Sequence, residues 1–132
     1  MGLRVGADIA VVDDVRSSVE RFGRRYLDRI FTAHEIASCQ GDPAVVAASL
    51  AARFAAKEAT IKVLRPADAA PPWRSIEVRR DPSGWCELRL RGEAARLAAE
   101  AGITDLQVSL SHDGGLAAAV VLARCERVEV PA

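Results

Sequence analysis

The chain has 132 residues, half of them hydrophobic but only six aromatic, so it reads as one domain with a core of Val, Leu, Ile and Ala. Its 18 basic and 18 acidic side chains cancel, which excludes a general nucleic-acid binder, since such proteins carry a basic excess against phosphate. Three separated cysteines (Cys39, Cys86, Cys125) fit neither a disulfide framework nor a zinc site, and no apolar run approaches a membrane span, so a cytoplasmic protein is expected.

The first ten or so residues, Leu3 to Val12, are rich in β-branched side chains and read as a buried strand interrupted by one acid, Asp8. Val15, Val19, Phe22 and Tyr26 then recur at helical spacing, predicting a helix from Val15 to Leu27. Thr32 followed by Glu35 is a capping-box pattern that opens a short second helix. Asp42 and Pro43 supply an N-cap and a first helical residue for a long third helix ending near Leu64. Pro66, Pro71 and Pro72 enforce a loop after it.

The second half alternates apolar and polar residues. Ile76–Arg79 and Cys86–Leu90 read as a hairpin turned by Asp81-Pro82-Ser83-Gly84. A helix from Glu93 to Ala101 stops at Gly102, and strands over Leu106–Leu110 and Leu116–Ala123 flank the turn Gly114-Gly115. The expectation is an α+β single domain spanning residues 1–132, in the order strand, three helices, two strands, helix, two strands.

Lysine usage is uneven. Sixteen of the basic residues are arginine, and the two lysines, Lys57 and Lys62, bracket Glu58 on the long helix. Lysine offers a compact ammonium that sits close to a phosphate, whereas arginine offers a planar fork. Phe54, Glu58 and Lys62 follow one another at four-residue spacing and share a helix face among small residues. A carboxylate and an ammonium on a largely packed helix call for a partner, a metal or a function; the plain alternative is a surface Glu58–Lys62 pair. Asp8 poses the same problem within its strand. Two such carboxylates resemble a Mg²⁺ site, which takes one or two protein carboxylates and completes its shell with water and phosphate oxygens. Ser111-His112-Asp113 closes a strand just before a glycine turn, where side chains reach ligands, although a structural histidine fits there too.

Gly6-Ala7-Asp8-Ile9, Arg53-Phe54-Ala55-Ala56-Lys57-Glu58-Ala59-Thr60-Ile61-Lys62 and Val108-Ser109-Leu110-Ser111-His112, in this order, resemble the holo-acyl-carrier-protein synthase family of 4′-phosphopantetheinyl transferases. Arg29-Ile30-Phe31-Thr32 and Trp73 to Val78 also resemble family segments, so the likeness covers nearly the whole chain. It implies the family fold, and transfer of the phosphopantetheine arm of coenzyme A to a serine of an apo acyl carrier protein, with release of adenosine 3′,5′-bisphosphate. By the same resemblance Asp8 and Glu58 hold Mg²⁺, Lys62 stabilises the diphosphate, and Arg53, Lys57, Lys62, Ser111 and His112 contact coenzyme A. The base is either Glu58 or Asp113. The resemblance also implies a homotrimer with sites between subunits, and Arg16, Arg21, Arg24, Arg25 and Arg29 form a candidate docking face for an acidic carrier.

Two departures stand out. Asp14 occupies a stretch where the family usually carries an arginine that touches the carrier, so a specialised polyketide carrier is expected alongside a fatty-acid one. Arg65-Pro66 replaces a glycine that often follows the middle motif. Two rival readings are a catalytically weak relative that binds coenzyme A or a carrier, and a Mg²⁺-dependent phosphohydrolase. No phosphate loop supports the second.

Overall fold

The computed structural model describes residues 1–126. The chain begins with β1 (Gly2–Val11), then α1 (Val12–Phe22), α2 (Arg24–Ile30), α3 (Ala33–Ser38) and α4 (Pro43–Leu64). A short 3-10 turn over Trp73–Ser75 leads into β2 (Ile76–Arg80) and β3 (Cys86–Leu90). The chain continues through α5 (Gly92–Glu100), β4 (Ile103–Asp113) and β5 (Leu116–Cys125). The strands form an antiparallel three-stranded sheet, ordered β1-β5-β4, and a separate β2-β3 hairpin. This is the expected α+β order.

Three local expectations change. The helix expected over Val15–Leu27 breaks at Gly23, whose φ of 55° and ψ of −129° take the chain out of helical geometry between α1 and α2. β4 runs three residues further at each end than expected, so His112 and Asp113 lie on the strand itself. β1 is not buried on both faces: Leu3, Val5, Ile9 and Val11 are exposed along one side.

The caps follow the sequence. Asp42 accepts a hydrogen bond from the Ala44 amide, and Thr32 and Glu35 satisfy each other's backbone amides as a full capping box. α4 ends on Arg65, which takes the left-handed conformation (φ 51°) that a glycine would adopt without steric cost.

α4 is the centre of the molecule. Its Ala55, Ala56, Ala59 and Val63 pack on Ala119, Val121 and Ala123 of β5, small side chain against small side chain, so helix and sheet lie close. β1 comes closest of all. A Cβ built on Gly6 would stand 2.2 Å from the Ala59 carbonyl oxygen and 3.1 Å from Val63. Gly6→Ala must therefore push β1 off α4, and a loss of about 1–3 kcal/mol or more is expected for such overpacking. A denaturant midpoint within error of the parent would contradict this close approach. The approach serves the site as well, because Asp8 follows Gly6 on the same face of β1.

Candidate functional site

Gly6 brings β1 against α4, and two residues later Asp8 meets Glu58. The two carboxyls lie within hydrogen-bonding reach of each other. Burial first, and then the neighbouring Asp8 carboxylate, push Glu58 up to about 7 from an ordinary 4.5. Asp8 moves the other way: the hydrogen bond with Glu58 comes first, and the Ile9 amide and the Lys62 ammonium also hold it below its usual range against burial. Asp8 Oδ1 accepts the Ile9 amide at 2.9 Å, while Oδ2 is buried and finds no donor among the described residues once Glu58 is ionised. Lys62, one turn after Glu58, donates from Nζ to the Ala7 carbonyl at 2.8 Å and stands 3.6 Å from Asp8 Oδ1. Its side chain remains 56 % exposed, so the ammonium is held at the site yet open to a ligand.

Such a pair suits a hard cation. Two acids crowded together, with no donor for a buried oxygen once both are ionised, gain most from a charge placed between them. Among the described residues no group of three or more His, Cys, Asp or Glu side chains converges, so the protein offers two carboxylates and leaves the rest of a shell open. Mg²⁺ binds in that way.

A cavity of about 400 Å³ lies between α4, β4 and the β2-β3 hairpin. Arg53 and Ser49 of α4 line one side, with Ser109, Ser111 and His112 of β4; Arg80, Gly84, Trp85 and Cys86 of the hairpin line the other. Arg53 is 7 % exposed, donates one bond to the Ser49 carbonyl, and keeps a buried Nε with no partner among the described residues. A guanidinium at the cavity wall carries a fixed positive charge there, which suits an anion.

Lys57 lies elsewhere. The sequence reading puts it on coenzyme A, but its side chain is fully buried and does not line the cavity. Lys57 Nζ stands 2.7 Å from Glu35 Oε1 and donates to the Trp73 and Ile76 carbonyls. Glu35 in turn accepts the Thr32 and Val78 amides. Asp113 is exposed at the end of β4 and is likewise absent from the cavity wall. Alternation along β4 puts it on the same face as Ser109 and Ser111, and His112 on the opposite face. The hairpin residues Arg80, Trp85 and Cys86 were not expected at a site. Their signal was a tryptophan set in a polar turn.

A second cavity, of about 360 Å³, opens beside Glu58 on the side of α1 and α2. Val15, Tyr26, Ile30 and Phe54 make it apolar, and Asp14 stands at it.

Three comparisons with known proteins agree. Residues 4–121 match the family model described as the 4′-phosphopantetheinyl transferase superfamily. The chain is 42 % identical over 123 residues to the holo-[acyl-carrier-protein] synthase of Desulforudis audaxviator, covering 93 % of each chain. It is 45 % identical over 119 residues to the Streptomyces avermitilis holo-[acyl-carrier-protein] synthase, covering 90 % of this chain and 94 % of that one. Its fold matches the solved Chronobacterium ammoniagenes ACPS–CoA complex with a TM-score of 0.82 at 31 % identity, covering 96 % of this chain and all of that one.

Proposed function

The chain belongs to the 4′-phosphopantetheinyl transferase superfamily, and we propose that it is a holo-acyl-carrier-protein synthase working through Asp8, Glu58 and Lys62. It moves the phosphopantetheine arm of coenzyme A onto a serine hydroxyl of an apo acyl carrier protein. The observation that carries this reading is the Asp8–Glu58 pair, crowded enough to need a cation and flanked by the open ammonium of Lys62.

Asp8 and Glu58 would hold Mg²⁺, which when bound neutralises charge on the diphosphate during the displacement. Arg53 and His112 take anionic and polar parts of coenzyme A in the cavity they line, with Ser111 at its wall. Lys62 places its ammonium on the diphosphate, where negative charge builds on the leaving group. Glu58 accepts the serine proton at its carboxylate. Asp113 is the weaker candidate for that task, since it is exposed at the strand end and does not line the cavity. The nucleophile belongs to the carrier, so the chain needs none of its own.

The carrier's serine has to arrive on the open side of Glu58. There the apolar cavity under α1 and α2 lies next to the arginines of those helices, and an acidic carrier with apolar anchors complements such a surface. Asp14 at this cavity makes carrier choice a property of this chain, with fatty-acid and polyketide carriers both candidates.

A homotrimer is what the family resemblance implies, and the exposed apolar face of the sheet supports an interface between copies of the chain. Leu3, Val5, Ile9 and Val11 of β1 lie beside Leu122, Val120 and Leu116 of β5, a contiguous surface of the kind that marks an interface. Sedimentation should give three times the 14.1 kDa chain, and the dissociated monomer should be inactive.

The decisive experiment is the intact mass of several apo carriers after incubation with the protein, coenzyme A and Mg²⁺. A gain of one phosphopantetheine arm, lost on chelation, is expected. No gain on any carrier, despite bound coenzyme A, would leave a binding module instead. In the same assay Lys62→Arg should slow transfer by about 10²–10³, the usual loss for one transition-state donor. Parent-like turnover would remove Lys62 from the reaction.

A further inference from the structure

Trp85 is 78 % exposed, and among the described residues its ring joins no apolar core, aromatic pair or cation contact. The other tryptophan, Trp73, packs on Phe54 with ring centroids 5.0 Å apart. The turn that carries Trp85 does not need the indole. The Asp81 amide donates to the Trp85 carbonyl and the Gly84 amide to the Asp81 carbonyl, each at 2.9 Å. Asp81 Oδ1 accepts the Ser83 amide, and Gly84 supplies the positive φ of 97°. A rigid turn therefore holds a large flat ring in water at the rim of the cavity that Arg53 and His112 line from the other side.

The cavity thus has two chemistries. One wall offers the guanidinium of Arg53, whose fixed charge suits an anion. The opposite wall offers an aromatic face and a second guanidinium, Arg80, both of which stack on planar rings. A ligand that fills both carries a phosphate and a flat heteroaromatic base joined by a short linker. The 3′-phosphorylated adenosine of coenzyme A has that form.

We propose that Trp85 is the stacking platform for the adenine base of coenzyme A, fixing the nucleotide end of the substrate while Arg53 takes its phosphate. This rests on reading the cavity as the coenzyme A site. It gives the β2-β3 hairpin a role in substrate recognition. It also explains an exposed tryptophan that stability alone does not require.

The test follows indole emission in the full chain with Trp73→Phe, so that Trp85 is the sole tryptophan. Coenzyme A and adenosine 3′,5′-bisphosphate should each quench it, and 4′-phosphopantetheine, which lacks the base, should not. Trp85→Ala, at an exposed position that tolerates truncation, should weaken coenzyme A binding roughly tenfold to a hundredfold, as expected for one base–aromatic stack. The loss should fall on KM more than on kcat, and Trp85→Phe should recover most of it. Unchanged affinity in Trp85→Ala, or equal quenching by 4′-phosphopantetheine, would overturn the stacking role while normal transfer by the parent leaves the transferase reading standing. A change of subunit number in Trp85→Ala with parent affinity would make the indole an interface residue and overturn the proposal too. Failure of the parent both to bind coenzyme A and to modify any carrier would remove both readings together.

Discussion

Glu58→Gln should abolish nearly all transfer and, at the same time, stabilise the metal-free protein above neutral pH. Both effects come from one arrangement. Glu58 and Asp8 are close enough that their charges repel, and Glu58 responds by holding its proton up to about 7 against an ordinary 4.5. A group whose pKa is raised on folding stabilises the fold fully below its unfolded value, and that contribution fades as pH rises through the folded one. Asp8 behaves oppositely: its pKa is lowered from 3.8, so its contribution is lost only in acid. Between pH 5 and 8 the slope therefore belongs to Glu58.

Its carboxyl is partly open to water, so solvent screening reduces the effect to on the order of 1–2 kcal/mol. The parent without metal should melt a few degrees lower at pH 8 than at pH 5.5, and Mg²⁺ should restore it at pH 8. Glu58→Gln should show a flatter profile and a much smaller response to the ion. Asp8→Ala should also lose transfer, and Glu58 should then titrate closer to its ordinary value. Melting curves with and without Mg²⁺ across this pH range check the stability changes, and the carrier mass assay checks the loss of transfer. Undiminished transfer by purified Glu58→Gln, or a parent-like Mg²⁺ shift in it, would exclude the carboxylate pair as the metal site.

The parts of the fold that local chemistry dictates were legible. The capping box at Thr32 and Glu35, the Asp42–Pro43 helix start and the Gly102 stop need only neighbouring residues, and each stands where the pattern put it. What was missed depends on three dimensions. Apolar spacing runs through Val15, Val19, Phe22 and Tyr26 without a gap, so periodicity alone hides the break at Gly23. The outward face of β1 is apolar yet exposed, and a run of β-branched residues read without the fold suggests burial on both faces instead.

Lys57 and Lys62 show the same limit at the site. Five residues along a helix rotate the side chain by about 140°, so the two lysines cannot share a face. The sequence marks both as unusual and does not say which one turns inward. Likewise the alternation in β4 that separates His112 from Asp113 becomes visible only once the strand is known to extend to Asp113.

Lys57→Ala carries the largest expected cost in stability, about 3–5 kcal/mol for breaking a buried ion pair. That is a large share of the 5–15 kcal/mol that holds a typical domain together. The ammonium stands 2.7 Å from Glu35 with both side chains fully buried, and it satisfies the Trp73 and Ile76 carbonyls besides. Burial is the main force lowering the Lys57 pKa, and the Glu35 carboxylate opposes it. Removing the lysine leaves the Glu35 carboxyl without its partner in the core, takes a donor from the Trp73 and Ile76 carbonyls, and opens a cavity beside Phe31.

Removing both charges together should cost much less than the sum of the single changes, because neither group is then left buried alone. Urea midpoints of Lys57→Met, Glu35→Gln and the double variant form the cycle that measures this. A strongly favourable coupling is expected, and additive losses would mean that the pair does not act as a unit. The pair ties α4, which carries Glu58 and Arg53, to Val78 of β2, two residues before Arg80 at the cavity wall. The lysine that the sequence assigned to the substrate instead holds in register the two elements between which the substrate cavity lies.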